Sequence, residues 1–455
     1  MELQIPLTEN RRKYKQIYEQ IRQDILKKKL PAHTQLPAKR RLAEQLNVSI
    51  MTVQIAYEQL KSEGYIYSVE RGGSFVSEVE EDFYFEEPVV LNLKQTNVSK
   101  RYINFRNGQV DVEVFPYKTW SRLYKKVLNE HDSNHPWQGV YSLRVEIAKY
   151  LQHARGFSPE PEQIYLFSGF QQQFMNLCLF FNPSAIGIED PGFIRAKGVS
   201  DQLKLQSYGF PIDDEGCTVP TQNIKLLYTT PAHQYPTGTV MSIARRTELL
   251  RWADKNDAYI IEDDYDSEFR YKGSPIPTLS HLDAQERTIY FGTFSKTLLP
   301  SLRMSYLVIP SHLLPDFEMF NTYQKATVSA IDQQVLAHFI SEGFYTSHIA
   351  KMRSLYRMKR ECLIKNIQNQ LGEEYNIKGD SAGLHIILEL PQGLNETKAI
   401  ELAKKNGVEI DAVSTMYQRN KPTNQVMIGY GAPSIEDIQR GVGLLASVWH
   451  DYLNY

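Results

Sequence analysis

Apolar residues recur every three to four positions along the first 62 residues, which is the spacing of one buried face of a helix. Ser49 stands directly before the last of these segments, where its hydroxyl can cap a helix N-terminus. Two β-rich runs then flank Gly72 and Gly73, which supply the glycines of a tight hairpin. The pattern predicts helices over 14–30, 42–47 and 50–62, followed by a hairpin over 65–78.

Beyond residue 103, short apolar runs alternate with longer helical segments, which is typical of βα units and a mostly parallel sheet. After about Pro310 the pattern is mainly helical as far as the apolar run at 383–390, and then mixed, as in a small α+β subdomain. These patterns predict an α/β fold. The predicted strands lie at 164–169, 185–190, 224–230, 258–264, 288–294 and 305–310.

A stretch without a sustained period separates the two patterns. Residues 78–87 hold six acidic side chains, and a polar run follows as far as residue 102. We interpret 77–103 as a linker. The predicted domains are then a head over 1–76 and a body over 104–455.

Composition narrows the class of protein. Of the 455 residues, 42% are hydrophobic and 23% charged, which excludes a wholly disordered or fibrous chain. Three scattered cysteines are too few for a disulfide framework and form no zinc-binding pattern, so we expect no metal site and a reducing, cytoplasmic location. No apolar run has the length of a signal-peptide core or a membrane span, so no membrane partner is expected.

The net charge of −2 is unevenly distributed. Residues 1–76 carry 13 basic and 8 acidic side chains, whereas the rest of the chain is net acidic. A basic head on an acidic body suggests separate tasks, although a charge excess of this size also arises by chance.

The predicted head has the layout of a winged helix-turn-helix, in which the start of the second helix of the motif enters the DNA major groove. Thr52 and Gln54 occupy that turn, and short polar side chains there can reach base edges. Lys39 and Arg40 are positioned to hold phosphates, with Arg71 at the tip of the wing. The alternative is a trihelical docking module that does not contact DNA.

The run LPAKRRLAEQLNVSIMTVQIAYEQLKSEGYIYSVERGGSFV closely resembles the GntR-type winged-helix domain. The resemblance implies that Arg40 contacts phosphate or base, that Thr52 and Gln54 lie on the recognition helix after Ser49, and that Gly72 belongs to the wing. The sequence departs from the family at Ile50, where the family usually has an arginine that contacts DNA, and at Ala38, usually serine.

Lys296 lies in a hydroxyl-rich turn after the predicted strand at 288–294, in the run FGTFSKTLLPSLRMSY. Thr293 and Ser295 flank it, and Arg303 follows seven residues later. A lysine that forms an imine must be partly unprotonated, and hydroxyls with an arginine suit an aldehyde that carries a phosphate. Taken alone, such a lysine is more often an exposed surface residue.

Three acidic residues, Glu262, Asp263 and Asp264, end the predicted strand at 258–264, and Tyr265 follows them. Carboxylates at the C-terminal end of a buried parallel strand lie where α/β folds bind ligands. One of them could pair with a pyridinium nitrogen. Metal binding and helix capping are alternatives that this motif leaves open.

Two further motifs follow predicted strands. Ser168, Gly169 and Phe170 begin a helix after a small-residue turn, where free backbone N–H groups can gather around an anion. Phe193 follows the strand at 185–190 and could cover a planar ring, although a core aromatic is the commoner case.

In this order, the motifs resemble the aspartate-aminotransferase-like proteins of fold type I, which use pyridoxal 5'-phosphate, over about residues 104–455. The resemblance implies that Lys296 is the catalytic, Schiff-base lysine, that Asp263 pairs with the pyridine nitrogen, and that Tyr265 hydrogen-bonds the ring hydroxyl. Phe193 would stack on the ring. The phosphate would be surrounded by Ser168, Gly169, Phe170, Thr293, Ser295 and Arg303.

The segment TTPAHQYPTGTV departs from the family at Tyr235, where an asparagine usually precedes the proline. His233 and Gln234 are therefore expected to take over some contacts to the ring hydroxyl.

Fusion of these two domains in this order resembles the MocR-type branch of GntR regulators. The resemblance implies a pyridoxal-phosphate-dependent transcriptional regulator that binds double-stranded DNA and whose body senses a small effector, either an amino compound or the cofactor itself. Fold type I proteins build their sites at a dimer interface, so we expect a homodimer.

An aminotransferase with a fused DNA-binding head is the alternative. Aminotransferases commonly hold the substrate carboxylate with an arginine near a late strand, and the comparable place here holds Met427, with Arg419 the nearest arginine. We therefore expect at most residual transamination of ordinary α-amino acids. Arg195, just after Phe193, is the candidate for binding an effector carboxylate.

Overall fold

The computed structural model describes residues 3–8, 11–70, 72–78, 102–130, 136–273, 276–418 and 423–454. The chain divides into two compact units, Met1–Asn97 and Val98–Tyr455. Most of the linker predicted at 77–103 lies outside the described residues. In the part of the chain that is described, no helix has both the length and the apolar character needed to cross a membrane.

The first unit is a three-helix head with a two-stranded antiparallel wing, as predicted. Ile17, Ile21 and Ile25 of the first helix are buried in one core with apolar residues of the third. The first helix ends at Leu26, before the predicted end at residue 30, and Lys28 beyond it has a left-handed backbone with φ +58°. The elements are α1 Lys13–Leu26, α2 Lys39–Gln45, α3 Ile50–Ser62, β1 Ile66–Val69 and β2 Gly73–Val76.

The second unit is built around an eight-stranded sheet in which five neighbouring strands run parallel. All six predicted strands are present. The run at 206–213 was not predicted as a strand, because at this end of the sheet most of its side chains are at least partly exposed. In spatial order the strands are β4 Ile164–Phe167, β11 Ser305–Val308, β10 Thr288–Thr293, β9 Tyr259–Asp264, β8 Leu226–Thr229, β5 Ala185–Asp190, β6 Gln206–Asp213 and β7 Gly216–Cys217.

Helices cover both faces of this sheet. Along β10, Ile289 and Phe291 pack into one apolar cluster and Tyr290 into another, because successive strand residues point to opposite faces. Burial on both faces explains why the central strands read as continuous apolar runs. The covering helices are α4 Tyr117–Glu130, α5 Tyr141–Arg155, α6 Phe170–Phe181, α7 Ile194–Gln202, α8 Ile243–Lys255, α9 Leu279–Leu282, α10 Leu314–Phe320 and α11 Ala330–Ser341.

A smaller α+β part completes the second unit, as predicted. Its four-stranded antiparallel sheet has the order β12 Asn376–Lys378, β13 His385–Glu389, β16 Gln425–Gly429 and β15 Asp411–Ala412. Strand β14 Val408–Glu409 pairs separately with the short strand β3 Ile103–Asn104. Residues 103–104 thus belong to the fold of the body. The elements are β3 Ile103–Asn104, α12 Phe344–Gln370, β12 Asn376–Lys378, β13 His385–Glu389, α13 Glu396–Lys405, β14 Val408–Glu409, β15 Asp411–Ala412, β16 Gln425–Gly429 and α14 Ile435–Leu453.

Candidate cofactor site and DNA-binding surface

The C-terminal ends of the parallel strands bring most of the predicted body residues to one edge of the large sheet. Strand β9 ends at Asp264 and β10 at Thr293, and the two are hydrogen-bonded neighbours. Strand β11 runs antiparallel, so its first residue, Ser305, pairs with Thr293 on one side and with Phe167 of β4 on the other. The loops that carry Lys296 and Arg303 therefore leave the same edge of the sheet.

Lys296 is largely enclosed three residues after the end of β10. Burial lowers the pKa of its ammonium group to about 8, and the Arg195 charge acts in the same direction, against the Asp266 and Asp263 carboxylates. Among the described residues, Nζ makes no hydrogen bond or ion pair. A substantial fraction of this amine is therefore neutral near pH 8, which is the nucleophilic form.

Asp263 is buried at the end of β9 and accepts a hydrogen bond from the Tyr228 hydroxyl, 2.6 Å from Oδ2. Burial raises the pKa of this carboxyl to about 7, and the Tyr228 hydrogen bond opposes the rise. Nearby carboxylates of Asp264 and Asp266 raise it further. A cation beside Asp263 would lower its pKa and stabilise its charge.

The other two carboxylates of the motif have partners elsewhere. Glu262 accepts hydrogen bonds from the backbone N–H of Leu279 at 2.7 Å and of Ser280 at 2.9 Å, so it caps helix α9. Asp264 pairs with Arg155 and accepts a hydrogen bond from Tyr290. The helix-capping alternative is thus correct for Glu262.

The Tyr265 hydroxyl lies 3.1 Å from Nδ1 of His233, and the same nitrogen lies 3.1 Å from Oδ2 of Asp266. Burial would lower the pKa of His233, but the Asp266 carboxylate outweighs it and the pKa is raised. Gln234 has a different environment, because its amide donates to the Glu189 carboxylate at 3.1 Å and to the Pro191 carbonyl at 2.9 Å.

Three neighbours of this site were not identified from the sequence. Tyr228 comes from the preceding strand β8, and Asp266 follows Tyr265 directly. His385 is buried on β13, its ring centroid 5.2 Å from that of His233, and burial with the His233 charge lowers its pKa to about 3. The repeated acidic residues after β9 were the available signal for Asp266, whereas His385 is separated from the motif by more than 100 residues.

A candidate anion cradle, made by Arg303 and the start of α6, lies where β4 enters α6. Gly169 has φ +110°, a conformation that glycine adopts readily, and an added Cβ would overlap the Arg303 guanidinium. The guanidinium thus lies against the backbone at the start of α6, where helix N–H groups are free. Ser168 bonds to Gln172 through both its backbone N–H and its hydroxyl, and the Thr293 hydroxyl accepts from the Ser295 N–H.

Phe193 is half-buried beside the start of α6. It makes edge-to-face contacts with Phe170, at a centroid distance of 4.9 Å, and with Tyr235 at 5.6 Å. Arg195 is exposed on the first turn of α7, yet its charge reaches Lys296.

Met427 lies on β16 and is fully buried in an apolar cluster with Ile387 and Val413, against which Tyr235 packs. An apolar cluster thus occupies the place where the sequence comparison put the substrate-binding arginine of aminotransferases. Arg419 lies outside the described residues.

In the head, the Ser49 hydroxyl accepts a hydrogen bond from the Thr52 N–H at 3.2 Å and so caps α3, as predicted. The Gln54 amide donates to Glu58 one turn along at 2.7 Å. Three apolar side chains are exposed on the same helix, at fractions of 49% for Ile50, 62% for Met51 and 40% for Ile55.

The remaining predicted DNA-binding residues lie beside this helix or on the wing. Lys39 and Arg40 begin α2, and Arg40 is exposed with only a 3.7 Å ion pair to Glu44. The Gly72 carbonyl accepts a hydrogen bond from the Gln35 amide at 2.7 Å. Arg71 lies outside the described residues.

Family comparisons agree with this division of the chain. Residues 13–76 match bacterial regulatory proteins of the gntR family, and residues 125–424 match aminotransferase class I and II. The chain is 40% identical to the HTH-type transcriptional regulator YdeL of Bacillus subtilis, over 98% of this chain and 97% of YdeL.

Two other relatives are named for the process that they regulate. The chain is 30% identical to the probable rhizopine catabolism regulatory protein MocR of Rhizobium meliloti, over 96% of this chain and 93% of that protein. It is 32% identical to the HTH-type pyridoxine biosynthesis transcriptional regulator PdxR of Corynebacterium glutamicum, over 94% and 93%.

Among solved structures, the multiple substrate aminotransferase of Thermococcus profundus superposes with a TM-score of 0.71 at 24% identity, covering 83% of this chain and 98% of that chain. This similarity shows the fold of the body. Because this chain carries both domains and matches such regulators over nearly their whole length, it belongs to the MocR subfamily of GntR-type transcriptional regulators.

Proposed function

We propose that the head binds double-stranded promoter DNA and that the body holds pyridoxal 5'-phosphate covalently on Lys296, so that binding of a small molecule in the body changes transcription. The observation that carries this proposal is the grouping of a partnerless, largely enclosed lysine, a buried carboxyl and an arginine-lined cradle at one sheet edge.

The residues of the site fit this cofactor. The Arg303 guanidinium and the free N–H groups of α6 suit its phosphate, together with Ser168, Phe170, Thr293 and Ser295. Asp263 forms no ion pair with any described residue and would gain a cationic partner from the ring nitrogen. Tyr265 and His233 would hydrogen-bond the ring hydroxyl, and Phe193 would lie against the ring. These assignments would leave each polar group of the cofactor with a partner in this chain.

When bound, the cofactor supplies an aldehyde that reacts reversibly with primary amines. Lys296 would hold the cofactor through this aldehyde, because its amine is partly neutral near pH 8. Asp263 would hold the proton on the ring nitrogen, and Arg303 would fix the phosphate end. An effector amine that displaced Lys296 would leave a charged lysine in an enclosed site, and this change would favour one arrangement of the protein over another.

The effector class is an amino compound or the cofactor itself. The PdxR relative is described as a regulator of pyridoxine biosynthesis, which supports the cofactor as the effector. The MocR relative is described as a probable regulator of rhizopine catabolism, which supports a small compound that is catabolised. Arg195 is our candidate for holding an effector carboxylate, because its side chain is exposed and its charge reaches Lys296. The apolar surroundings of Met427 disfavour a metabolic aminotransferase.

For the head, we propose that Thr52 and Gln54 face bases from a helix start fixed by Ser49, while Lys39 and Arg40 contact phosphates and the wing residues Arg71 and Gly72 lie along the backbone. The exposure of Arg40 supports its part in this assignment.

We further infer that the protein works as a homodimer in the cytoplasm. Symmetric dimers are the commonest assemblies of soluble proteins, and regulators of palindromic DNA sites mirror that symmetry. The three cysteines are free, which fits a reducing compartment. Sedimentation of the cofactor-loaded protein as a monomer would contradict the dimer.

The covalent assignment is tested by adding pyridoxal 5'-phosphate to the purified chain, reducing with borohydride and locating the added mass by peptide mapping. We expect the mass on Lys296, a visible absorbance that Lys296→Ala removes, and normal labelling of the control variant Lys365→Ala, which changes an exposed lysine of α12. Labelling of Lys296→Ala to the same extent, or on another lysine, would refute the assignment.

A further inference from the structure

A second cavity of about 880 Å³ opens on the body and is distinct from the proposed cofactor site. Asp264, rather than Asp263, lines it, because neighbouring residues of a strand face opposite sides of the sheet. Other walls come from the end of α5, the loop after β9 and the first half of α12. Lys296 and Arg303 do not line this cavity.

The cavity is rich in positive charge. Its lining includes two carboxylates, Asp264 and Glu268, and both are engaged by a single arginine, Arg155. The lining holds four further arginines, and among the described residues none of them forms an ion pair with either of these carboxylates. They are Arg246, Arg270, Arg353 and Arg357.

Of these four, Arg246 alone has a carboxylate partner among the described residues, with Nη1 3.6 Å from Glu262. Arg353 donates from Nε to the Glu268 carbonyl at 2.8 Å, which leaves its charge unpaired. Arg353 and Arg357 are four residues apart on α12 and so lie on one face of that helix. Three cationic side chains, Arg270, Arg353 and Arg357, thus have no ionic partner in the described structure.

Two of the arginines each have one buried nitrogen without a hydrogen-bond partner among the described residues. These atoms are Nη1 of Arg246, a residue that is 1% exposed, and Nε of Arg270. Burial lowers the pKa of both guanidinium groups, and the Arg270 charge lowers that of Arg246 further. Positive charges close together in a partly buried cavity repel one another, and a bound anion would offset this repulsion.

We propose that this cavity is a second ligand site, which binds a small dianion, either a phosphate ester or a dicarboxylate. Its volume is that of a metabolite-binding pocket, and guanidinium groups are the side chains best suited to phosphate and carboxylate oxygens. No residue that lines this cavity holds the proposed cofactor, so this proposal can be tested independently of the one about Lys296.

Arg270 lines the cavity, and its charge also acts on the proposed cofactor site. The Arg270 charge lowers the pKa of His233, whose ring also faces Asp266, Tyr265 and His385. An anion that neutralises Arg270 removes this effect and strengthens the positive charge on His233 beside the Tyr265 hydroxyl. Occupation of the second site is therefore expected to alter the spectrum of the bound cofactor.

The test is a calorimetric titration of the cofactor-loaded protein with inorganic phosphate, pyrophosphate and glutarate, and with acetate as a monoanion. We expect saturable binding of at least one dianion, weakened about tenfold or more in Arg270→Gln and Arg357→Gln, because each removes one charge-assisted contact. Lys351→Gln, on the same helix outside the cavity, is the matched control and is expected to bind normally. Phosphate or pyrophosphate binding without glutarate binding identifies a phosphate ester, and the reverse a dicarboxylate.

The proposal is overturned if no dianion binds saturably, if acetate binds as tightly as the dianions, or if the two arginine variants bind like the control. Loss of binding in Arg303→Gln with normal binding in Arg270→Gln would also overturn it, because the anion would then occupy the cofactor cradle. Circular dichroism of each variant shows that it is folded. Apoprotein that cannot be loaded with cofactor is titrated in the same way, which separates this proposal from the one about Lys296.

Discussion

At the scale of single residues, the chemistry of the body depends on how burial shifts protonation. Lys296 and Asp263 are both driven towards their neutral forms, with pKa values of about 8 and about 7. Among the residues that the structure describes, neither group has an oppositely charged side chain in contact with it. The aldehyde of the proposed cofactor would give Lys296 a partner, and its ring nitrogen would give Asp263 one. A structural lysine or aspartate would instead be held charged by an ion pair.

We predict that capture of pyridoxal 5'-phosphate by the cofactor-free protein accelerates as pH rises through about 8, because the neutral amine attacks and the pKa of Lys296 is lowered to about 8. The measurement is the rate of absorbance change against pH. Arg195→Gln is expected to move the midpoint upwards, because the Arg195 charge contributes to the lowering. A midpoint near that of a free lysine, about 10.4, would contradict this account.

We also predict a change of DNA preference at the head. Ile50 is 49% exposed in the first turn of α3, so Ile50→Arg adds a guanidinium that can form paired hydrogen bonds with guanine. Selection from a random DNA library is expected to gain guanine at one position per half-site. Ile243→Arg is the matched control, since Ile243 is 46% exposed and also first in a serine-capped helix, but in the body. Identical selected sequences for Ile50→Arg and the original chain would contradict the proposal that the start of α3 faces the DNA bases.

At the scale of elements, the junction of β4 and α6 is the part of the site most dependent on backbone shape. Gly169→Ala is expected to displace the Arg303 guanidinium and strain a φ of +110°, so that cofactor affinity falls by about tenfold or more while the fold persists. Gly198→Ala, in helix α7 with open space around it, is expected to keep full affinity and gain slightly in stability. Equal affinities for the two variants would show that Arg303 is not part of the cradle.

The ion pair that joins α5 to β9 has a measurable role in stability. Arg155→Gln removes the cation that pairs with the buried Asp264 and Glu268 carboxylates, and we expect the body to lose about 3–5 kcal/mol of unfolding free energy. Arg287→Gln removes an ion pair whose Asp257 partner is largely exposed, and is expected to cost less than about 1 kcal/mol. Urea unfolding monitored in the body measures both, and similar losses would contradict the difference in burial.

Sequence patterns predicted the elements better than the partners of their polar residues. The six apolar strands were predictable because burial on both faces leaves continuous apolar runs. The ion pairs of Glu262 and Asp264 were not predictable from the sequence. Their partners Arg246 and Arg155 come from helices that precede them in the chain and meet them only in the fold. The contact between His385 and His233 was likewise not predictable from the sequence.

At the scale of the whole molecule, the uneven distribution of charge corresponds to two units with different tasks. The boundary found in the fold, Asn97/Val98, falls within the predicted linker, and β3 at 103–104 pairs with β14 of the body. The sequence could not reveal that pairing, because the two segments are about 300 residues apart. We expect residues 98–455 alone to capture the cofactor and residues 1–97 alone to bind DNA without responding to it; failure of the body fragment to capture the cofactor would contradict this division.

The most direct test of the central claim is the affinity of the full chain for DNA selected from a random library by that same chain, measured by fluorescence anisotropy with and without pyridoxal 5'-phosphate. If Lys296 links the cofactor to transcription, the cofactor changes the Kd of the original chain by about fivefold or more, and that of Lys296→Ala by less than about twofold. An unchanged Kd for the original chain, or an equal response in Lys296→Ala, would contradict the account.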